Sequence, residues 1–259
     1  MNSENLSSSA LSVDHLAVII SPDREQLGKE AAAAVAERIR EIQDIKDSVN
    51  MIFASAPSQN EFLNQLRTSQ GIAWEKINAF HMDEYIGLES NAPQNFATFL
   101  EERLFSSVPV GNFYRINGNA KNIEQEIERY RNLLEQNPVD IICMGIGENC
   151  HIAFNDPHVA NFNDPEVVKV VELDEISRVQ QVNDGCFATL EDVPTHALTL
   201  TIPTLMKPPH VFCIVPGSLK ANAIKYTLEN EISPDYPSTI LREHPDARLF
   251  VDRDSAALL

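Results

Sequence analysis

The fold class of this chain is legible in one run of residues, Val139-Asp140-Ile141-Ile142-Cys143-Met144-Gly145-Ile146-Gly147-Glu148-Asn149-Cys150-His151-Ile152-Ala153-Phe154-Asn155-Asp156-Pro157. Its first part is a short apolar segment that reads as a buried strand. Its second part is a glycine-rich turn that delivers an amide, an imidazole and a carboxylate in quick succession. A strand ending in such a turn is where open α/β sheets place their ligands. The glycines alone are weak evidence; the histidine and acid among them make a candidate site. Asn149 and His151 stand two residues apart, with Asp156 beyond. A histidine whose second nitrogen is held by an amide or carboxylate is a competent proton shuttle. A histidine merely satisfied by loop backbone is the competing explanation.

Outward from this run, short apolar stretches alternate with helical patterns. Strands are expected at His15–Ile20, Val49–Ala54, Ile77–Met82, Val139–Met144, Val167–Glu172, Ala197–Thr201, His210–Val215 and Arg248–Val251. Between them, Ser21-Pro22 offers an N-cap and an N1 proline for an alanine-rich helix to about Glu41. Ser58-Gln59-Asn60-Glu61 is a capping-box pattern for a helix to about Thr68. Further helices are expected near Gln94–Phe105, Ile123–Glu135 and Ser218–Leu228. The rhythm predicts an α/β fold, a Rossmann-like three-layer sandwich with a mostly parallel sheet flanked by helices. With no internal repeat, linker or composition break, residues 1–259 read as a single domain. Residues 155–163 and 177–192 are the least regular and are expected to form a mobile flap.

The 259 residues carry a net charge of −18, which argues against nucleic acid and anionic membranes as partners. An anionic ligand would have to be met by a few local cations and N–H groups. The four cysteines show no zinc-ligand spacing and read as reduced thiols of a cytoplasmic protein. The polar, serine-rich segment 1–14 is expected to be flexible and lacks the features of a signal peptide. No apolar run approaches the ~20 residues needed to span a membrane.

Other strand ends supply further candidates. Asp83, in His81-Met82-Asp83-Glu84-Tyr85, is either a general base or a turn carboxylate that caps the next segment. Moving its reference pKa of about 3.9 toward ~7 disfavours the carboxylate by roughly 4 kcal/mol, most of which burial must supply. Lys220 follows the strand and turn Val215-Pro216-Gly217-Ser218. A cation in the first turn of a helix opposes the helix dipole, which suggests an anion beside it; a snorkelling surface lysine is the alternative. Arg178 alone is indistinguishable from a surface arginine. Histidines and acids show no recognised metal-ligand spacing.

Together, Phe80-His81-Met82-Asp83-Glu84-Tyr85-Ile86-Gly87-Leu88 and Gly145 to Pro157 resemble the glucosamine-6-phosphate deaminase (isomerase) family. The later pieces Ala197–Thr201, Gly217–Ala221 and His244-Pro245 follow in matching order. The resemblance implies conversion of glucosamine 6-phosphate to fructose 6-phosphate with release of ammonia, without metal or organic cofactor. It implies Asp83 as the base between C2 and C1 and His151 as the ring-opening group. Asn149 and Asp156 would hold His151, while Ser58, Arg178 and Lys220 would bind phosphate. Its partner is a small sugar phosphate, not nucleic acid or membrane. Resembling proteins include monomers and hexamers, so a homo-oligomer is among the expectations. A non-catalytic sugar-phosphate sensor and a 6-phosphogluconolactonase-like hydrolase remain as alternative readings.

Three positions depart from the pattern that carries this resemblance. Ser55-Ala56-Pro57-Ser58 replaces a glycine-containing phosphate loop, and Pro57 has no N–H to offer. Cys150 stands where glycine is usual, which predicts strain if φ is positive there. Asp156 stands where glutamate is usual, and the shorter side chain predicts a water-bridged rather than direct contact with His151. The segment after Pro157 lacks the basic residues of an activator site, so no such control is expected.

Overall fold

The computed structural model describes residues 7–259. In chain order the elements are β1 (Ser9–Val13), β2 (Leu16–Ser21), α1 (Arg24–Gln43), β3 (Val49–Phe53), α2 (Asn60–Leu66), β4 (Ile77–His81), β5 (Asp83–Tyr85), α3 (Phe96–Arg103), β6 (Asn112–Tyr114), α4 (Ile123–Gln136), β7 (Ile141–Met144), β8 (Val168–Glu172), α5 (Glu175–Asn183), β9 (His196–Leu200), α6 (Ile202–Met206), β10 (His210–Val215), α7 (Ala221–Glu229) and β11 (Ala247–Asp252).

Eight strands form one sheet in the order β1-β2-β11-β10-β7-β3-β4-β6. Every pairing within it is parallel except β1 with β2. The central strand β7 is buried along its whole length, as a sheet covered on both faces requires. Its residues alternate between two cores. Ile141 and Cys143 pack with Leu27, Ala31, Val35 and Ile39 of α1 and with Phe62 and Leu66 of α2. Ile142 and Met144 pack with Tyr130 of α4, Leu205 of α6 and Ile224 of α7. This is the three-layer arrangement expected from the sequence. A second, antiparallel sheet, β5-β9-β8, lies beside the first and encloses a third cluster around Tyr85, Phe96 and Phe154.

From β3 the chain moves one way to β4 and β6, whereas β7 pairs on the other side of β3. Such a reversal opens a crevice at the carboxyl ends of the strands. The candidate residues follow β3, β4, β7 and β10, the strands around that crevice.

Several local expectations are corrected. The segment 1–14 is not uniformly loose: Ser9–Val13 pairs in register with Leu16–Ile20. The remainder of that expectation, residues 1–6, lies outside the described residues. Ser21 closes β2 instead of capping α1; the cap is Asp23, whose carboxylate accepts from the Gln26 N–H. Ser58 caps nothing, because Pro57–Gln59 form a 3-10 turn ahead of the short α2. Residues 177–192 are largely helical, with Asp174 capping α5. No helix among the described residues is long and apolar enough to cross a membrane, and the four cysteines are free.

Candidate active site

A small open pocket lies at the crevice. Its walls include Ser55, Ser58 and Gln59 after β3, Asp83 after β4, Gly145, Gly147 and His151 after β7, and Lys220 after β10. Three separate strand ends therefore bring Asp83, His151 and Lys220 to one space.

Asp83 opens β5 and pairs across to Thr199 of β9. Its backbone is clamped from behind. The ring Nδ1–H of His81 donates to the Asp83 carbonyl at 2.9 Å, while His81 Nε2 accepts from the Ile116 N–H at 2.8 Å. Complete burial lowers the His81 pKa to about 3, so the ring stays neutral in this tautomer. Tyr130 secures the same strand end, accepting from the His81 N–H and donating to the His81 carbonyl. Burial pushes the Asp83 carboxyl well above its ordinary range, and the neighbouring Glu84 charge pushes in the same direction. The shift is in the direction that a general base working near neutral pH requires. Glu84 itself points away, accepting from the N–H groups of Tyr85, Phe96 and Ala97. It thereby pins the start of α3, from which Phe96 forms part of the cavity wall. Burial raises Glu84 to about 7 despite those three bonds.

His151 sits in a network built from the loop and α5. Its Nδ1 lies 2.7 Å from Asn149 Oδ1, 2.9 Å from Ser177 Oγ and 3.1 Å from Asp156 Oδ1. Asn149 donates to Asp156 at 3.0 Å, and Ser177 makes a very short hydrogen bond to the same carboxylate oxygen. Asp156 Oδ2 accepts from the Asp174 N–H. Burial works against the Asp156 anion, yet the bonds from His151, Ser177 and Asn149 hold its pKa far below the usual carboxylate range. With Nδ1 so occupied, Nε2 is the ring atom left for chemistry. The expected water bridge to Asp156 is thus replaced by direct contact, because Ser177 and Asn149 draw the shorter acid into place.

Two backbone details make the network possible. A Cβ on Gly147 would stand 2.1–2.3 Å from the His151 ring, so only glycine lets the imidazole lie on the loop. Cys150 has φ 70°, the case in which strain is expected there. An L-residue in that region costs roughly 1–2 kcal/mol. Here it is held by Cys150 N–H to Gly147 O and by Ser238 N–H to Cys150 O, with the thiol buried in the core.

Lys220 ends a 3-10 turn immediately before α7 and is only 7% exposed. Burial lowers its pKa, with Asp184 and Glu148 opposing. No carboxylate among the described residues lies within ion-pair distance of it. Ser58 reaches the cavity, but α2 behind it is only seven residues long. Arg178 does not reach it. Its guanidinium Nη2 donates to the carbonyls of Leu190 and Val193. Sequence reasoning missed Ser177, Gln180 and Gln181, which form the buried polar face of α5. Their i, i+3, i+4 spacing was the available signal. Among the described residues no cluster of three or more His, Cys, Asp or Glu is placed to hold a metal.

The family described as glucosamine-6-phosphate isomerases/6-phosphogluconolactonase matches residues 22–250. A glucosamine-6-phosphate deaminase of Bacillus cereus (strain B4264) is 35% identical over 230 residues, covering 89% of this chain and 86% of the relative. One from Bacillus anthracis (strain A0248) is 34% identical with the same coverage. A solved monomeric glucosamine-6-phosphate deaminase superposes with a TM-score of 0.85 at 30% identity, covering 93% of this chain and 99% of that one. The 6-phosphogluconolactonase of Thermotoga maritima shares the fold, with a TM-score of 0.74 at 18% identity over 92% of this chain and 99% of that one.

Proposed function

This chain belongs to the glucosamine-6-phosphate isomerase/6-phosphogluconolactonase family, and from that premise we propose that it is a glucosamine-6-phosphate deaminase. The observation that supports this most strongly is the convergence of a buried carboxyl, a held imidazole and an unpaired buried lysine on one cavity.

Each residue suits one step. His151, with Nδ1 fixed by Asn149 and Asp156, delivers a proton from Nε2 to the ring oxygen and opens the sugar. Asp83 then removes the C2 proton while the C1 carbonyl oxygen takes back, through His151, the proton that O1 lost on ring opening; this gives an enolamine, and Asp83 returns its proton to C1. The resulting C2 imine adds water and expels ammonia, leaving fructose 6-phosphate. Atoms balance as amino-sugar phosphate plus water giving ketose phosphate plus ammonia. Asp83 is placed for this by the His81 and Tyr130 clamp, and its raised pKa makes it a stronger base once ionised. Lys220 holds the anionic end of the substrate.

The test is release of ammonia and fructose 6-phosphate from glucosamine 6-phosphate by the purified protein. Folded protein that releases neither, yet is thermally stabilised by sugar phosphates, would instead be a binding protein. Hydrolysis of 6-phosphogluconolactone without deamination would transfer the chain to the hydrolase branch.

A further inference from the structure

Three neighbouring strand ends meet at one side chain that the reaction above does not use. Gln59 follows β3, is 1% exposed and forms part of the cavity wall. Its Nε2 donates to Ile214 O of β10 at 3.0 Å and to Ser58 Oγ at 3.2 Å. In the sheet, β7 lies between β3 and β10. The pairing of β10 with β7 ends at Cys213 and Met144, where β7 gives way to the Gly145 turn. A Cβ at Gly145 would stand 3.2 Å from Gln59 Nε2 and 3.5 Å from Ile214 O. The Gln59 amide therefore crosses the end of β7 and takes a carbonyl that lies beyond the β7 ladder.

Both amide hydrogens are used in this way, which fixes the orientation of the group. Turned over, Oε1 would face the Ile214 carbonyl oxygen, and two acceptors do not pair. Ser58 is consequently an acceptor toward Gln59. A hydroxyl has one hydrogen to give, and no acceptor among the described residues takes the one on Ser58. Ser58 is half-buried and lines the same cavity as Lys220. Its hydrogen is thus available to a ligand there. Donors are otherwise scarce at this end of the cavity. Pro57 has no N–H, and Arg178 is committed to the Leu190 and Val193 carbonyls. A serine without the Gln59 contact could turn either its hydrogen or a lone pair toward an anion, and only the first attracts it.

We propose that Gln59 is a positioning residue for substrate binding: by bridging Ile214 and Ser58 it holds the β3 loop against the end of β10 and presents the Ser58 hydroxyl as a donor to the anionic end of the substrate beside Lys220. The inference rests on the deaminase reading above for the identity of that substrate. Gln59 touches no reacting atom and acts through Ser58. That separates it from a residue that only fills the core, whose loss would weaken binding whether or not the Ser58 hydroxyl is present.

The experiment is a double-mutant cycle on Gln59→Met and Ser58→Ala, read as KM and kcat for glucosamine 6-phosphate. Ser58→Ala should raise KM by about tenfold or more, the range of one hydrogen bond to a charged group, and Gln59→Met by about 3–10-fold. The double variant should be no worse than Ser58→Ala alone, within about twofold, because the Gln59 effect runs through that hydroxyl. The change in kcat should be smaller than the change in KM, as for an interaction made in ground and transition states alike. Effects that multiply in the double variant, or a fall in kcat with KM unchanged, overturn the proposal. Gly145→Ala keeps the test open if a buried methionine prevents folding. Its methyl presses on Gln59 Nε2 and should raise KM in the parent but not in Ser58→Ala; a rise in both backgrounds counts against Gln59 acting through Ser58. Calorimetric binding of inorganic phosphate to the same proteins repeats the cycle without turnover. Coupled losses of phosphate affinity without ammonia release remove the deaminase reading and keep the role of Gln59. Ammonia release with independent losses does the reverse.

Discussion

The two ends of the cavity are finished in opposite ways. Around His151 the polar atoms are paired within the protein: Asn149, Ser177, Asp156 and the Asp174 N–H close a network with one ring nitrogen left over. Around Lys220 they are left open: a buried ammonium without an ion pair, Ser55 Oγ and Gln59 Oε1 without partners. A proton-transfer group must be held in one orientation before the substrate arrives, so its hydrogen bonds are supplied in advance. A binding group must have unmet valence, because an unsatisfied buried polar atom costs about 1–3 kcal/mol until a ligand completes it. Asp83 stands between these cases, fixed through its backbone but with a carboxyl whose shift comes from burial and the Glu84 charge alone.

The sharpest way to separate position from binding is Asp83→Asn. Turnover should fall by about 10³–10⁴-fold, toward the upper end of what general base catalysis provides, while substrate binding persists. Because folding raises the Asp83 pKa, its ionisation destabilises the folded state. That penalty is absent below the unfolded value of about 3.8 and grows as pH rises toward the folded value. The variant should therefore have a higher Tm than the parent at neutral pH and the same Tm at pH 3.5, read by scanning calorimetry. Full activity would remove Asp83 from the chemistry.

Gly147→Ala attacks the prepared end by geometry alone. The added methyl collides with the His151 ring, and a misplacement of this size can cost about 10²-fold in kcat. KM should change little; a selective rise in KM instead would mean that the loop serves binding. Lys220→Met attacks the open end. KM for the phosphorylated sugar should rise about 10–100-fold with a smaller change in kcat, since a charged hydrogen bond is lost from ground and transition states alike.

Asp156→Asn gives the smallest effect. Folding lowers the Asp156 pKa, so its contribution to stability is present above the unfolded value of about 3.8 and is lost as pH falls through the folded value. The variant should be less stable than the parent by about 1–3 kcal/mol at pH 7, and this difference should narrow below pH 4. A gap unchanged across that range would mean that the Asp156 charge does not support the fold.

The same contrast explains what could be read in advance. Asp83, Asn149, His151 and Asp156 were legible because each sits at or just after a strand end, where the apolar run and the glycines mark the position along the chain. Ser177, Gln180 and Gln181 were hidden in a polar stretch whose helical period is carried by polar rather than apolar residues. Arg178 could not be placed in advance because its direction depends on which face of α5 meets the cavity, and a neighbouring position lies on another side of the helix.

By itself, the sequence determined the alternation of buried strands and amphipathic helices and the strand ends that carry chemistry. These follow from local periodicity and covalent geometry. Tertiary structure alone decided that β3, β4, β7 and β10 share one crevice, that Asp156 reaches His151 directly, that Arg178 turns away, and that Lys220 is left without an ion pair. Those outcomes depend on distances between residues far apart in the chain, which only the order of strands in the sheet can set.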